Sequence, residues 1–412
     1  MRDRSDGSGD HSVYNKNYEN DIRRVLQMCQ WFLRPIGIWP LIYSRASKRE
    51  RILSTILIAM CTTAICFVLL PCSYYLLFQE KDFNIRLELV GPLAFCGFTG
   101  IKYSYMGLKS PGIRRCLQHI LNDWKVLQSQ NHRDIMMENV AIGKNLTKLL
   151  AAFLYTGGVS YHTVMPLLSV KNVNENITIR QLAYPGCEIF LDVQSSPVYE
   201  ILLCVHCFTA LIMYTIATSV CGLVTIFVTH ACGQIQLQMV RLKSLISETK
   251  RMKRKCDDPL ILIVADHVST LRFSKDIEEV LRELCLLEIV TSTFYLCLSG
   301  YLVITGWRNG DVFATTTHSL LFISVTTNIL TFCYIGELLI EQCRKIGIST
   351  YEIEWYELPD KKALDLILLI AISNYPSKLT AGRIFDLSLT TFSNVIKSSM
   401  AYFNLLRTFV VW

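Results

Sequence analysis

An all-α bundle of seven membrane spans is the fold class this chain predicts, and three observations predict it. Of its 412 residues, 51% are hydrophobic and only 18% are charged, a balance too apolar for an ordinary soluble domain. The apolar residues gather into long runs that reach the ~20 residues a bilayer-crossing helix requires. Lys and Arg, finally, are shared unevenly among the segments that join those runs.

Taken in order, residues 1–51 read as a cytosolic amino-terminal segment. No cleavable signal peptide is visible, because residues 1–20 are polar and the first apolar run begins only after Arg51. The first four spans, with their loops, occupy 52–230: Ile52–Phe78, Leu89–Leu108 with Lys102 inside it, Leu149–Val170, and the run that starts at Ile201. That fourth run continues to Val240, twice what a bilayer needs, so its second half is expected to leave the membrane as a cytosolic helical extension over 231–287. There Ile261, Val264, Val268, Leu271, Ile277, Val280, Leu281, Leu286 and Leu287 make one face apolar, as in a helix that packs against others. The Arg251–Lys255 basic run would equally suit a helix lying on anionic membrane lipid. Ile289–Trp307 and Val312–Gly336 are the fifth and sixth spans, within 288–342. Residues 343–386 form a second cytosolic anchor segment, and 387–412 the seventh span, interrupted by Lys397 and Arg407.

An odd number of spans puts the two ends on opposite sides. Residues 1–51 hold ten Lys and Arg, 109–144 six, 241–282 ten and 344–383 six, against Lys81, Arg86, Lys171, Arg180 and Arg308 in the other segments. The positive-inside rule therefore places the amino terminus in the cytosol and the carboxy terminus outside. The sequon Asn176-Ile177-Thr178 then faces outward as a glycosylation site, while Asn145-Leu146-Thr147 faces the cytosol. The same distribution accounts for the net charge of +7, so no nucleic-acid partner is expected.

No catalytic constellation stands out. His162, His206, His230 and His318 are dispersed over different spans, and no HExxH, Walker loop or GxGxxG is present. An enzyme is not expected, nor a cofactor. Most of the sixteen cysteines are scattered through apolar runs, where thiols behave as small hydrophobes. Cys204-Val205-His206-Cys207 lies in a span without a second ligand cluster, so no metal site is expected either.

A site for a small apolar ligand needs a concave, aromatic-rich wall with few polar groups. Candidates are Phe95 and Phe98 on the second span, Tyr155, Gly158 and His162 at helical spacing on the third, His206, Thr209 and Met213 on the fourth, and Thr317 and Leu321 on the sixth. Periodicity alone reads each of them equally well as core. On the seventh span Asn394, Ser398, Ala401, Leu405 and Phe409 share one face, polar and small at its start and apolar at its end. With Lys397 beside it, that is the order of a water-lined pore narrowing to a hydrophobic constriction.

The carboxy-terminal residues also carry a family pattern. It consists of Cys333-Tyr334-Ile335-Gly336-Glu337-Leu338-Leu339, Trp355-Tyr356-x-x-Pro359, Pro376 followed by Leu379-Thr380-Ala381-Gly382, Leu387-x-Leu389-x-Thr391-Phe392, and Lys397-Ser398-Ser399-x-x-Tyr402-Phe403-x-Leu405-Leu406-Arg407. Over 333–412 this resembles the signature of insect odorant receptors, with the span layout similar over the whole chain. The resemblance implies a ligand-specific receptor subunit rather than the shared co-receptor, taking a small volatile ligand in the outer half of the bundle. It implies a ligand-gated, non-selective cation channel built as a heterotetramer with the odorant co-receptor, in the plasma membrane of olfactory sensory neurons. Leu405 and Phe409 then resemble gate positions, and Asn394, Lys397 and Ser398 the wetter part of the pore. A G-protein-coupled seven-helix chemoreceptor is the alternative, although it needs the opposite orientation. A gustatory-receptor-like channel is another, although its TY…QF ending is absent here.

Overall fold

The computed structural model describes residues 15–164, 171–174, 177–179, 182–251 and 259–410. Short helices α1 (Tyr18–Leu33) and α2 (Trp39–Ile42) precede α3 (Lys48–Tyr74), which ends in a π turn at Tyr75–Gln79. Then come α4 (Phe83–Leu108), α5 (Ser110–Val126) and α6 (Gln130–Val159), the last followed by a π turn at Ser160–Val164. The remaining helices are α7 (Val198–Arg251), α8 (Pro259–Arg308), α9 (Val312–Glu352), α10 (Asp360–Ser373) and α11 (Leu389–Val410). Two minimal antiparallel pairs join β1 (Lys171–Asn174) to β2 (Ile177–Ile179) and β3 (Thr380–Ala381) to β4 (Phe385–Asp386).

The seven apolar runs fall in α3, α4, α6, α7, α8, α9 and α11. By length and composition α3, α7, α8 and α9 qualify as membrane spans outright. α4, α6 and α11 also exceed the ~20 residues a span needs, but carry ionisable groups such as Lys102 and Lys397. Two helix starts are chemically marked. Ser47 Oγ accepts from the Glu50 amide at 3.2 Å and the Glu50 carboxylate accepts from the Ser47 amide at 2.8 Å, a capping box that opens α3 just before its apolar run. Asp311 caps α9 through the Ala314 amide at 2.9 Å.

α7 is the central helix. Of its most apolar stretch, 83% is buried, against 22% for the peripheral α3, and it packs against α1, α6, α8 and α9. At 54 residues without a break it extends about 80 Å, more than twice a ~30 Å hydrocarbon core. The amino-terminal helix α1 packs on it and is tied by charge to the neighbouring α6. Asp21 receives both ends of the Arg133 guanidinium, at 2.8 and 3.0 Å, and the Asn15 amide at 3.0 Å.

The apolar face expected over 261–287 divides in two. Ile277, Val280 and Leu281 are buried within the chain's own core, because α8 there lies against α5, α7 and α9, whereas Ile261, Leu262 and Val268 remain exposed.

Entry into α11 is set by the β3–β4 hairpin. Gly382 and Arg383 both adopt positive φ, the Ile384 amide closes the turn onto Ala381, and the Gly382 amide and Thr380 hydroxyl reach across to Arg282 and Glu278 of α8. A Cβ at Gly336 would overlap the Leu387 backbone, so glycine lets α9 lie against the chain as it turns into α11. The next residue, Glu337, accepts from the Leu389 amide at 3.1 Å and places its carboxylate at the start of α11.

Candidate ligand cavity and pore face

A cavity of about 100 Å³ lies among α4, α6, α7, α8 and α9. Its wall is aromatic. Phe95 stands tilted against Tyr214, ring centroids 5.6 Å apart, and edge-on to Tyr295 at 6.0 Å, separations at which such pairs attract. His162 enters from the π turn that ends α6; such turns are frequent at functional sites. Its Nδ1 lies 2.7 Å from the Tyr214 hydroxyl and its Nε2 2.7 Å from the Tyr184 hydroxyl. The Gly158 carbonyl, 3.0 Å from Nδ1, can only accept, so the proton of the neutral ring sits on Nδ1, shared between that carbonyl and the Tyr214 hydroxyl, and Nε2 accepts from Tyr184. One turn earlier, Gly158 leaves the space that the Tyr214 ring occupies, which a Cβ would overlap.

Of the ten ligand-site residues picked out from sequence, Phe95, His162 and Leu321 line this cavity. Tyr155 and Gly158 pack behind Tyr214, Tyr155 also holding the Thr215 hydroxyl at 2.7 Å. His206 lies edge-on to Tyr184 at 5.4 Å, and the buried Thr209 donates to its own helix at Val205. Met213 and Thr317 are buried and Phe98 is half-buried, all off the cavity wall. Sequence reasoning passed over Tyr214, Tyr295, Glu288 and Asn328, all of which line it. One signal pointed there: Lys102 is a charge inside an apolar run, and a buried cation needs a counter-charge on a neighbouring span. Glu288, at the edge of the fifth run, supplies it at 2.6 Å.

On α11 one face is covered and the other is not. Val395 and Ser399 are buried against the bundle, and Ile396 and Phe403 are half-buried. Asn394, Lys397, Ser398, Ala401 and Leu405 are exposed, Leu405 by 53%. The side chain of Phe409 lies outside the described residues, as does Asn176. A second cavity of about 280 Å³ separates α11 from α8 and α9, lined among others by Gly300, Phe322, Ile396 and Phe403. Further along the chain, α10 leaves Leu364, Ile367 and Leu368 uncovered. Among the described residues no group of three or more His, Cys, Asp or Glu is placed to hold a metal.

This architecture matches known proteins over most of its length. The insect olfactory receptor OR5 from Machilis hrabei, solved in complex with eugenol, superposes with a TM-score of 0.79 over 95% of this chain and 100% of that one, at 13% identity. A second structure of the same receptor gives 0.76 over 95% of this chain and 99% of that one, at 14% identity. In sequence, odorant receptor 13a of Drosophila melanogaster is 24% identical over 92% of this chain and 94% of its own. Odorant receptor 10 of Aedes albopictus is 24% identical over 56% and 60%. The model of the 7tm odorant receptor family matches residues 82–400, well over half of the chain. The protein, a multi-pass membrane protein built as a seven-helix bundle, belongs to the 7tm odorant receptor family.

Proposed function

We propose that the chain is a ligand-specific odorant receptor subunit of a ligand-gated, non-selective cation channel in the plasma membrane of olfactory sensory neurons. The observation that carries this reading is the orientation of α11. Asn394, Lys397, Ser398 and Ala401 are turned away from the chain's own bundle, and a face bearing a lysine is poorly accommodated by lipid. A single helix encloses no pore, so neighbouring subunits of the same fold complete a water-lined path that Leu405 and Phe409 narrow. The partner is the odorant co-receptor, in a heterotetramer held through the cytosolic segments 231–287 and 343–386. A small apolar volatile binds in the outer half of the bundle, against Phe95, His162, Tyr214 and Leu321, and its binding moves α8 and α9, on which α11 rests.

The test is current recording from cells expressing this chain with the co-receptor while G-protein signalling is blocked, with eugenol as a first probe. Odorant-evoked current persists under the block. Phe95→Ala raises the half-maximal odorant concentration by about tenfold through loss of an aromatic contact. Leu405→Ser raises the current without odorant, since a hydroxyl wets a hydrophobic neck. Current abolished by the block returns the chain to the G-protein-coupled reading.

A further inference from the structure

Two layers of side chains repeat at one spacing on three helices that line the cavity. Phe95 and Lys102 on α4, Tyr295 and Glu288 on α8, and Leu321 and Asn328 on α9 all line it, and in each pair the two are seven residues apart. Seven residues are two helical turns, so each pair shares a face with about 10 Å between its members. α8 runs antiparallel to α4 and α9, which puts the apolar members in one layer and the polar members in another. The polar layer forms the floor, on the side where α8 continues towards Pro259.

That floor is an ion pair with spare donors. Lys102 Nζ lies 2.6 Å from Glu288 Oε2, with the two side chains 3% and 5% exposed, and the Asn328 amide donates to the other carboxylate oxygen. Glu288 thus has a hydrogen-bond donor on Oε1, while Oε2 meets the ammonium as a close ion pair without hydrogen-bond alignment. An ammonium carries three N–H donors, and among the described residues Lys102 has Glu288 as its ion-pair partner and no aligned hydrogen bond. The pair as it stands is neutral. An ionised ligand would leave a net charge in a water-poor cavity, which is strongly unfavourable, whereas a neutral oxygen takes up a free N–H without changing the charge. Glu88, an acid that also lines the cavity, is fourteen residues from Lys102 along α4, about 21 Å away, at the opposite end.

We propose that Lys102 is the polar end of the ligand site, donating to the oxygen of a neutral ketone, ester or alcohol whose ring or short chain lies between Phe95, Tyr214 and Tyr295. Glu288 and Asn328 are positioning residues that hold the ammonium at that depth. The inference rests on the ligand-cavity reading above and sharpens it: the site prefers an oxygen-bearing molecule to a hydrocarbon of the same shape.

The probes are acetophenone and α-methylstyrene, which differ only in an oxygen replaced by CH2. The full chain is reconstituted in lipid nanodiscs, and bound probe is read by equilibrium dialysis and gas chromatography, with empty nanodiscs as the partition blank. The wild type is expected to bind acetophenone about tenfold or more tightly than α-methylstyrene, as for a hydrogen bond to a charged donor. Lys102→Met combined with Glu288→Gln leaves no unpaired charge, and should bring the two probes within about threefold while hydrocarbon binding is retained. The infrared carbonyl stretch of acetophenone bound to the wild type should move to lower wavenumber, a readout that needs no variant. No preference in the wild type, an unshifted carbonyl, or a preference surviving in the double variant each overturns the proposal and leaves the ion pair a clasp between three helices. Neither probe bound above the blank overturns the ligand-cavity reading itself.

Discussion

Lys102 and Glu288 are stable in the interior only as a pair. Removing either one leaves the other as an unpaired charge in an apolar surround, which destabilises far more than removing both. A half-buried ionisable group, His119 on α5, lies in the 109–144 segment away from the spans. It stacks on Phe273 with ring centroids 4.4 Å apart, and its Nε2 sits 3.3 Å from Asp123, with His230 and Asp276 also facing it. Burial holds its pKa below the ordinary 6.5, and Asp123 opposes this without cancelling it. Because the folded value is the lower one, the unfolded chain binds the proton more readily. The stability that neutral His119 contributes is complete above pH 6.5 and is lost as pH falls through the folded value. Melting temperature followed downward from pH 7.5 should therefore fall, and His119→Gln should flatten that slope. Equal slopes in both chains would remove His119 as its source.

Among the elements, α10 and α8 separate packing from assembly. Leu364 and Leu368 on α10 are 64% and 56% exposed, while Leu281 on α8 is fully buried in the chain's own core. Leu364→Glu and Leu368→Glu should leave the chain inserted and folded and lower co-purification with the partner subunit at least several-fold. Leu281→Glu should instead destabilise the chain by about 3 kcal/mol or more, because it buries an unpaired carboxylate, and should lower yield before assembly can be assayed. Unchanged co-purification of both α10 variants would move the partner surface elsewhere, the exposed start of α8 at Ile261 and Leu262 being the next apolar patch.

For the molecule as a whole, the arrangement of charge predicts which way it sits. The amino-terminal segment docked on α6 through Asp21 and Arg133 belongs to the lysine- and arginine-rich side, so an amino-terminal tag should be protected in intact cells and a carboxy-terminal tag accessible. Asn145 should carry no glycan. It stands in the middle of α6, and Thr147 of its sequon is buried, 3.0 Å from the Thr225 hydroxyl. A glycan at Asn145, or an accessible amino-terminal tag, would invert the arrangement.

The amino-acid order by itself determined the class, the number of long apolar helices and the likeness to a family. Each rests on a local property: run length against bilayer thickness, or a short motif read in place. Pattern likewise marked the polar-to-apolar face of α11, since residues three and four apart share a side of any helix. Which face of a buried helix meets a cavity is a different kind of fact. Phe95 and Phe98 are both half-buried on α4, yet only Phe95 lines the cavity. Tyr214 and Tyr295 gave no sign of being its walls, because their role depends on how α7 and α8 are rotated against α4. Lys102 announced that a counter-charge was needed, but its partner lies 186 residues away at Glu288, and only packing brings the two together. The tertiary structure decided the site because burial on every side erases the amphipathic period that would have aimed those helices.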